Sequence, residues 1–351
     1  MEHKYDVAII GGGPAGMAAA LGAVSAGAKR VLLTERGDRL GGVLNQCTHS
    51  GFGIRFFGED LSGVEYAERF RRLIDAARIE VLTETAVIKV TKNRELLLSG
   101  KTLDKANAKA ILLASGCRER PIGSLPISGT RPSGVFMAGA AQRMLNIGGY
   151  TIGRRAVILG SGDVGMIVAR ELKKRGADVE AVVEQHEFCG GLERNRVSCL
   201  EMYQIPLVLC STVIKIHGTG RITGVTIKNL VTGAQSTIHC DTMIVSVGLI
   251  PERELLEGVA EETGNVPDFL SVCGNACYVH DSVDDVTEES LRAGKFAAKF
   301  VMGHEPPPQK FSAGFTESKR GTAASICLIC PKGCTIGENT DMSCGREVHF
   351  R

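Results

Sequence analysis

Tyr5-Asp6-Val7-Ala8-Ile9-Ile10-Gly11-Gly12-Gly13-Pro14-Ala15-Gly16 is the stretch on which the fold of this chain turns. Its first half is apolar and partly β-branched, as a strand buried in a parallel sheet should be, and it runs into the glycines without a polar break. Met17 to Ala26 is rich in alanine and other small residues, which favours a helix packed close to the sheet, and Gly27 is placed to end it. Val31-Leu32-Leu33-Thr34 reads as a second strand that finishes on Glu35. In such a unit Gly11 permits the turn, Gly13 lets backbone approach a pyrophosphate, and Gly16 lets helix and strand touch. The helix N-terminus offers unpaired N–H groups to the anion. Glu35, about 20 residues on, is placed to accept from a ribose diol. A glycine-rich turn with no ligand would leave that acid unexplained.

The pattern then recurs. Arg155-Ala156-Val157-Ile158-Leu159 is a strand, Gly160-Ser161-Gly162-Asp163-Val164-Gly165 is a second G-x-G-x-x-G, and Met166 to Arg175 is a helix closed by Gly176. Val179 to Val183 is the next strand, and it ends on Glu184. Two dinucleotide fingerprints in one chain imply two cofactors. A carboxylate at 184 accepts from a free ribose 2′-OH but repels a 2′-phosphate, and Gln185 and His186 follow it with no arginine pair. NAD(H) is therefore expected there rather than NADP(H).

The 351 residues, 44% hydrophobic and 23% charged, suffice for two or three domains with cores of their own. A net charge of +2, with Lys and Arg spread among acids, argues against a nucleic-acid or anionic-membrane surface. No stretch approaches the ~18 apolar residues of a membrane span, and Met1 to Lys4 lead straight into the first strand, leaving no room for a signal peptide. A cytoplasmic protein is expected.

Elsewhere the elements are shorter. Arg36 to Cys47 is a loop with the glycine pair Gly41-Gly42, suited to close backbone approach to a flat ligand. Residues 60 to 79 predict a helix with Tyr66, Phe70, Leu73 and Ile74 on one core-facing side. Short strands follow at Val81-Leu82, Ala86 to Val90 and Glu95 to Leu98, and Ala110 to Ala114 is a buried strand ending at Ser115-Gly116. Residues 122 to 134, with two prolines and several glycines, suit a crossover connection. Strand-rich sequence runs through Leu207 to Ile227; Thr242 to Gly248 and Leu270 to Asn275 are further buried strands, and Thr287 to Met302 is a helix. Residues 303 to 325, with Pro306-Pro307-Pro308, read as a semi-rigid linker.

Together these motifs resemble the pyridine nucleotide-disulfide oxidoreductase superfamily, most closely its short thioredoxin-reductase-like branch, over about residues 5 to 302. The resemblance implies an α/β fold of two Rossmann-like domains. An FAD-binding domain would be discontinuous, residues 1–118 and 242–302, with an NAD-binding domain, 119–241, inserted between. The family's linker motif appears as Ala114-Ser115-Gly116 with Arg118 to Pro121, and its late Gly-Asp motif, which touches the flavin ribityl chain, appears as Gly274-Asn275. Candidate cofactor-binding residues are thus Gly11, Gly13, Pro14, Ala15, Gly16, Glu35, Arg36, Gly42, Val87, Gly116, Gly274 and Asn275, and in the second cycle Gly160, Gly162, Asp163, Val164, Gly165, Glu184 and Gly248. The family's redox disulfide is missing: the inserted domain has only scattered Cys189, Cys199, Cys210 and Cys240, and the early loop only Cys47. Dithiol relay to a protein disulfide is not expected. Cys47 is either a lone redox thiol beside the flavin or a buried inert one. Cys273 and Cys277 are structural, and His49 and His280 have no visible partner. Gly41 to Cys47, Phe52-Gly53 and Glu65-Tyr66-Ala67 look like flavoprotein subunits that accompany glycerol-3-phosphate-dehydrogenase-like partners.

Residues 326–351 are a cysteine-rich tail. Cys327, Cys330 and Cys334, followed by Cys344, form C-x-x-C-x-x-x-C with a fourth cysteine a short loop later. Four thiolates in a short segment can converge on one metal centre, with Pro331 and Gly333 permitting the turns. Zinc ribbons usually show two C-x-x-C knuckles and this tail has one, so an iron–sulfur cluster is favoured over zinc; disulfides are the third option. The close triad also resembles cluster-binding segments of molybdopterin oxidoreductases.

The expected function is an FAD-dependent NAD(H) oxidoreductase passing electrons between NADH, flavin and a partner subunit through the tail cluster. No side-chain acid or base is needed for hydride transfer, and no catalytic residue is named. The alternatives are a stand-alone NADH oxidase or peroxidase using Cys47, and a non-catalytic assembly subunit with a zinc-binding tail.

Overall fold

A computed structural model describes residues 3–304. At its centre lies β1 (His3–Ile10), whose alternate side chains enter two cores: Val7 and Ile9 one, Ala8 and Ile10 the other. The chain continues through α1 (Pro14–Ser25), β2 (Val31–Thr34), α2 (Gly63–Ala76), β3 (Glu80–Leu82), β4 (Ala86–Val90), β5 (Glu95–Ser99) and β6 (Leu103–Leu113). The first sheet has the order β3-β2-β1-β6-β5-β4, and a late strand, Leu270–Val272, pairs in parallel with the end of β6. β1, β2 and β3 are parallel to one another and to β6, so their C-terminal ends share one edge, and that edge carries Gly11 and Glu35.

β7 (Cys117–Glu119) leads out of this sheet into the second one, built from β8 (Val135–Met137), β9 (Arg155–Leu159), β10 (Asp178–Val183), β11 (Leu207–Val208) and β12 (Thr242–Val245). It is parallel throughout, in the order β8-β12-β9-β10-β11. α3 (Ala138–Asn146) and α4 (Asp163–Lys174) belong to one of its cores. A four-stranded sheet of Ser128–Gly129, Ser211–Gly218, Ile222–Asn229 and Gln235–Ile238 covers its other face. The chain returns through β13 (Leu249–Pro251), which pairs antiparallel with β7. β14 (Leu270–Val272) and the helix α5 (Val283–Val301) then complete the first half.

One boundary differs from expectation. The family resemblance places residues from 242 in the first domain, but β12 hydrogen-bonds to β8 and β9 in the second sheet, so the return lies at β13. A buried strand carries no local mark of which sheet will pair with it.

Three helices start earlier than expected. α1 begins at Pro14 rather than Met17, since a proline with φ already fixed and no N–H to lose suits the first helical position. α4 begins at Asp163, and α5 begins at Val283, where the Ser282 hydroxyl accepts from Asp285 N at 3.2 Å. α2 is capped by a reciprocal pair: Ser62 Oγ accepts from Glu65 N, and Glu65 Oε2 accepts from Ser62 N. Its core face is Gly63, Tyr66, Ala67, Phe70 and Ile74, which leaves Leu73, expected inside, on the shoulder of the arc and exposed. α1 has almost no amphipathic contrast because it is covered on nearly every side. Gly22 and Gly294 let it cross α5 at backbone contact: a Cβ on either would overlap a carbonyl of the other helix, Leu291 or Ala19.

Candidate functional site

At the edge of the first sheet Gly11 has φ +108° and donates to Thr34 O at 2.9 Å, which turns the chain from β1 into α1. A Cβ on Gly16 would overlap the Gly11 carbonyl oxygen, so helix and strand touch through that glycine. Gly13 caps α1, and nothing lies within 4 Å of where its Cβ would be. Backbone at the helix N-terminus is therefore approachable, as a pyrophosphate requires. Pro14 and Ala15 form the first turn, and Ala15 packs on Gly274, whose φ of +61° brings the loop after β14 onto the helix.

Glu35 is half-buried and holds its own glycine loop: Oε2 accepts from Gly12 N at 2.8 Å and Oε1 from Gly37 N at 2.7 Å. Two of its roughly four lone-pair positions remain for a ligand. The exposed Arg36 lies next to it, and Val87 lies two residues past Thr85, whose N–H donates to Glu35 O at 2.9 Å. Gly42, with φ +53°, leans on Gly13, and Gly41 N donates to Gly12 O at 2.8 Å. Gly116 has φ +79° and open space beside it. These residues therefore cluster at one sheet edge in a form that fits a dinucleotide. Asn275 belongs to the same loop, but its polar ends are engaged: Oδ1 accepts from His280 N at 3.0 Å and faces His280 Nδ1 at 3.1 Å, and Nδ2 donates to Cys117 Sγ at 3.8 Å. His280, expected to be single, thus has a partner.

The second sheet repeats the arrangement. Gly160, with φ +94°, donates to Val183 O at 2.8 Å, and Gly165 packs on Ser246 and the Gly160 carbonyl. Gly162 caps α4, and Val164 packs on its core. Glu184 Oε2 accepts from Ser161 N at 2.9 Å and from Ser161 Oγ at 2.7 Å; Oε1 accepts from His186 N at 3.0 Å. Burial pushes its pKa up, but the His186 and Ser161 hydrogen bonds outweigh burial and hold it below the usual carboxylate range. The acid is only 5% exposed. Asp163 Oδ1 accepts from Leu192 N at 2.8 Å and Asn195 Nδ2 at 2.7 Å. Gly248, with φ +107°, lies at the crossing, where its carbonyl accepts from Arg120 N at 3.0 Å.

Between the halves runs a polar seam that the sequence did not announce. Gln46 Nε2 donates to Gln142 Oε1 and to Gly139 O, both at 3.0 Å, and Asn146 Nδ2 donates to Gln46 O at 2.9 Å. Cys47 lies beside it. The thiol is buried, donates to Val43 O at 3.4 Å, and burial pushes its pKa up to about 12. Burial there favours the protonated thiol over the thiolate. The eight cysteines of the described residues are all free. Among the described residues no group of three or more His, Cys, Asp or Glu could hold a metal, and Cys327, Cys330, Cys334 and Cys344 lie outside them. No helix among the described residues is long and apolar enough to cross a membrane.

A further pair, Gly190-Gly191, went unassigned in the sequence although a signal was there: it follows Glu184 at the spacing at which Gly41-Gly42 follows Glu35.

The profile of the Pyridine nucleotide-disulphide oxidoreductase family matches residues 5–267. Over 339 residues the chain is 27% identical to a thioredoxin reductase of Mycolicibacterium smegmatis, covering 93% of this chain and 96% of that one. Over 240 residues it is 33% identical to the sarcosine oxidase subunit alpha of Rhizobium meliloti (strain 1021), covering 62% of this chain and 23% of that subunit. The crystal structure of Lactococcus lactis thioredoxin reductase is similar in fold, with a TM-score of 0.70 at 21% identity, over 85% of this chain and 99% of that one.

Proposed function

The chain belongs to the Pyridine nucleotide-disulphide oxidoreductase family, and from that premise we propose that it is an FAD-dependent NAD(H) oxidoreductase that exchanges electrons with a partner subunit rather than with a protein disulfide. The observation that carries this reading is the pair of strand–glycine–helix–acid units at the edges of two parallel sheets joined by β7 and β13. FAD and a nicotinamide dinucleotide are the cofactors expected of the family. When bound, they would supply hydride donor and acceptor, and the flavin would allow single-electron steps as well.

The residues of the chain bind and orient. On the first sheet the open Gly13 cap suits the FAD pyrophosphate, and Glu35 has capacity left for the adenosine ribose. On the second, Gly160 to Gly165 and Glu184 would take NAD(H), the absence of an arginine through Phe188 favouring the unphosphorylated form.

Two observations support the choice of acceptor. No disulfide exists among the described residues, and the burial of Cys47 speaks against a lone-thiol oxidase. The similar region of the sarcosine oxidase protein lies in a named subunit, which supports a partner here, a glycerol-3-phosphate-dehydrogenase-like one by sequence resemblance. The four tail cysteines would then hold an iron–sulfur cluster facing that partner.

The test is made on anaerobically purified full-length chain: iron, zinc and acid-labile sulfide are measured, and the visible spectrum is recorded before and after NADH. Flavin that bleaches with NADH, together with iron and sulfide, is the expected result. Zinc without sulfide removes the exported-electron route, and flavin that NADH leaves unchanged removes the oxidoreductase.

A further inference from the structure

Glu35 and Glu184 each brace a glycine turn with a carboxylate, and a third acid does the same at the first site. Glu289, in α5, accepts from Gly274 N at 2.7 Å through Oε2, and Ser290 Oγ donates to the same oxygen at 3.4 Å. Gly274 opens the loop after β14 and, with φ +61°, rests on α1: a Cβ on this glycine would overlap Ala15 Cβ. Ala15 belongs to the first turn of α1, beside the open Gly13 cap. One loop residue thus separates the Glu289 carboxylate from backbone shaped for a pyrophosphate.

The surroundings of Glu289 do little to offset its charge. Arg292 acts on it from the same helix. β14 ends on Cys273, a fully buried thiol whose pKa is pushed up by burial and by the Glu289 charge. α1 has no titratable side chain, and β1 and β6 turn Val7, Ile9, Ala110 and Leu112 towards this core. Arg55 and Tyr66, which approach α5 from the loop before α2 and from α2 itself, engage other residues: Arg55 pairs with Asp285 and Glu288, and the Tyr66 hydroxyl with Thr287. Burial accordingly pushes the Glu289 carboxyl above the usual carboxylate range, and the Gly274 N–H, the Ser290 hydroxyl and Arg292 oppose the shift without reversing it. A pyrophosphate seated on the Gly13 cap adds a like charge, which disfavours the ionised acid further.

We propose that FAD binding at the first sheet is coupled to protonation of Glu289: the acid takes up a proton from solvent as the pyrophosphate is seated, while its Oε2 keeps the Gly274 N–H. This rests on the FAD reading of that sheet. Glu289 is then a positioning residue. It holds the loop through Gly274 and, once neutral, leaves the field at the cradle to the N-terminus of α1.

For the test, anaerobically purified full-length chain is stripped of flavin, and FAD binding is followed by flavin fluorescence from about pH 5 to about pH 8 in wild type, Glu289→Gln and Glu289→Ala. Proton uptake is read by calorimetry in buffers of different ionisation enthalpy. Wild type should take up protons on binding and lose about tenfold in affinity across the range, the equivalent of about one pKa unit. Glu289→Gln, whose amide oxygen still accepts from Gly274 N, should lose both the proton uptake and the slope, and at the alkaline end should bind FAD at least as tightly as wild type. Glu289→Ala should also lack the slope and bind more weakly at every pH, because the Gly274 N–H loses its acceptor. A wild-type affinity independent of pH, a slope in Glu289→Gln equal to that of wild type, or a Glu289→Gln that no longer takes up FAD would each overturn the proposal while leaving the FAD reading in place. A wild type that binds no FAD at any pH removes the FAD reading itself.

Discussion

His49 shows what burial does to a single side chain. Its ring lies against Phe52 with centroids 5.1 Å apart, and Nδ1 is buried with no partner among the described residues. Burial, and after it the charge of Arg170, push its pKa down from 6.5 to about 4, with Glu171 opposing. The unfolded chain therefore takes up this proton at higher pH than the folded one. Stability from the neutral ring is complete above pH 6.5 and is lost as pH falls towards 4. Urea midpoints followed across that window should fall less steeply in His49→Gln than in wild type; identical slopes would refute the assignment. The two acids tell a complementary story. Their positions are legible from spacing alone, but that each also braces its own glycine loop, Gly12 for Glu35 and Ser161 for Glu184, appears only when backbone N–H groups are placed.

At the scale of elements, the crossing of α1 and α5 depends on the absence of two side chains. Gly294→Ala would place a methyl into the Ala19 carbonyl, so the helices must separate, at a cost of ~1–3 kcal/mol typical of overpacking. A thermal midpoint within a degree of wild type would show that the crossing yields without cost. The strands and helices of both nucleotide units were legible because each has a local signal: apolar run, glycines, small-residue helix, terminal acid. What escaped was pairing at a distance. Thr242–Val245 reads as a buried strand in any sheet, and only its register against Arg155–Leu159 fixes where it belongs. The Gln46–Gln142 seam escaped because polar side chains that meet across 96 residues leave no periodic trace.

For the molecule as a whole, two separate units predict separable losses. Glu35→Ala should purify without flavin. Glu184→Ala should keep flavin and lose bleaching by NADH, with a stability loss of about 1–3 kcal/mol because the Ser161 N–H and hydroxyl hydrogen lose their acceptor. Flavin content and NADH titration of the two proteins check this, and loss of flavin from Glu184→Ala would show that the halves are not independent. The crossing between them has a consequence for anyone splicing the gene. β7 and β13 run side by side, with Glu119 opposite Leu249 and Arg118 bridging Glu252 at 2.9 Å, so the inserted half leaves and returns through neighbouring strands ~5 Å apart. It can be lifted out as a cassette and the cut closed by a two-residue hairpin turn, with every strand of the first sheet still in place.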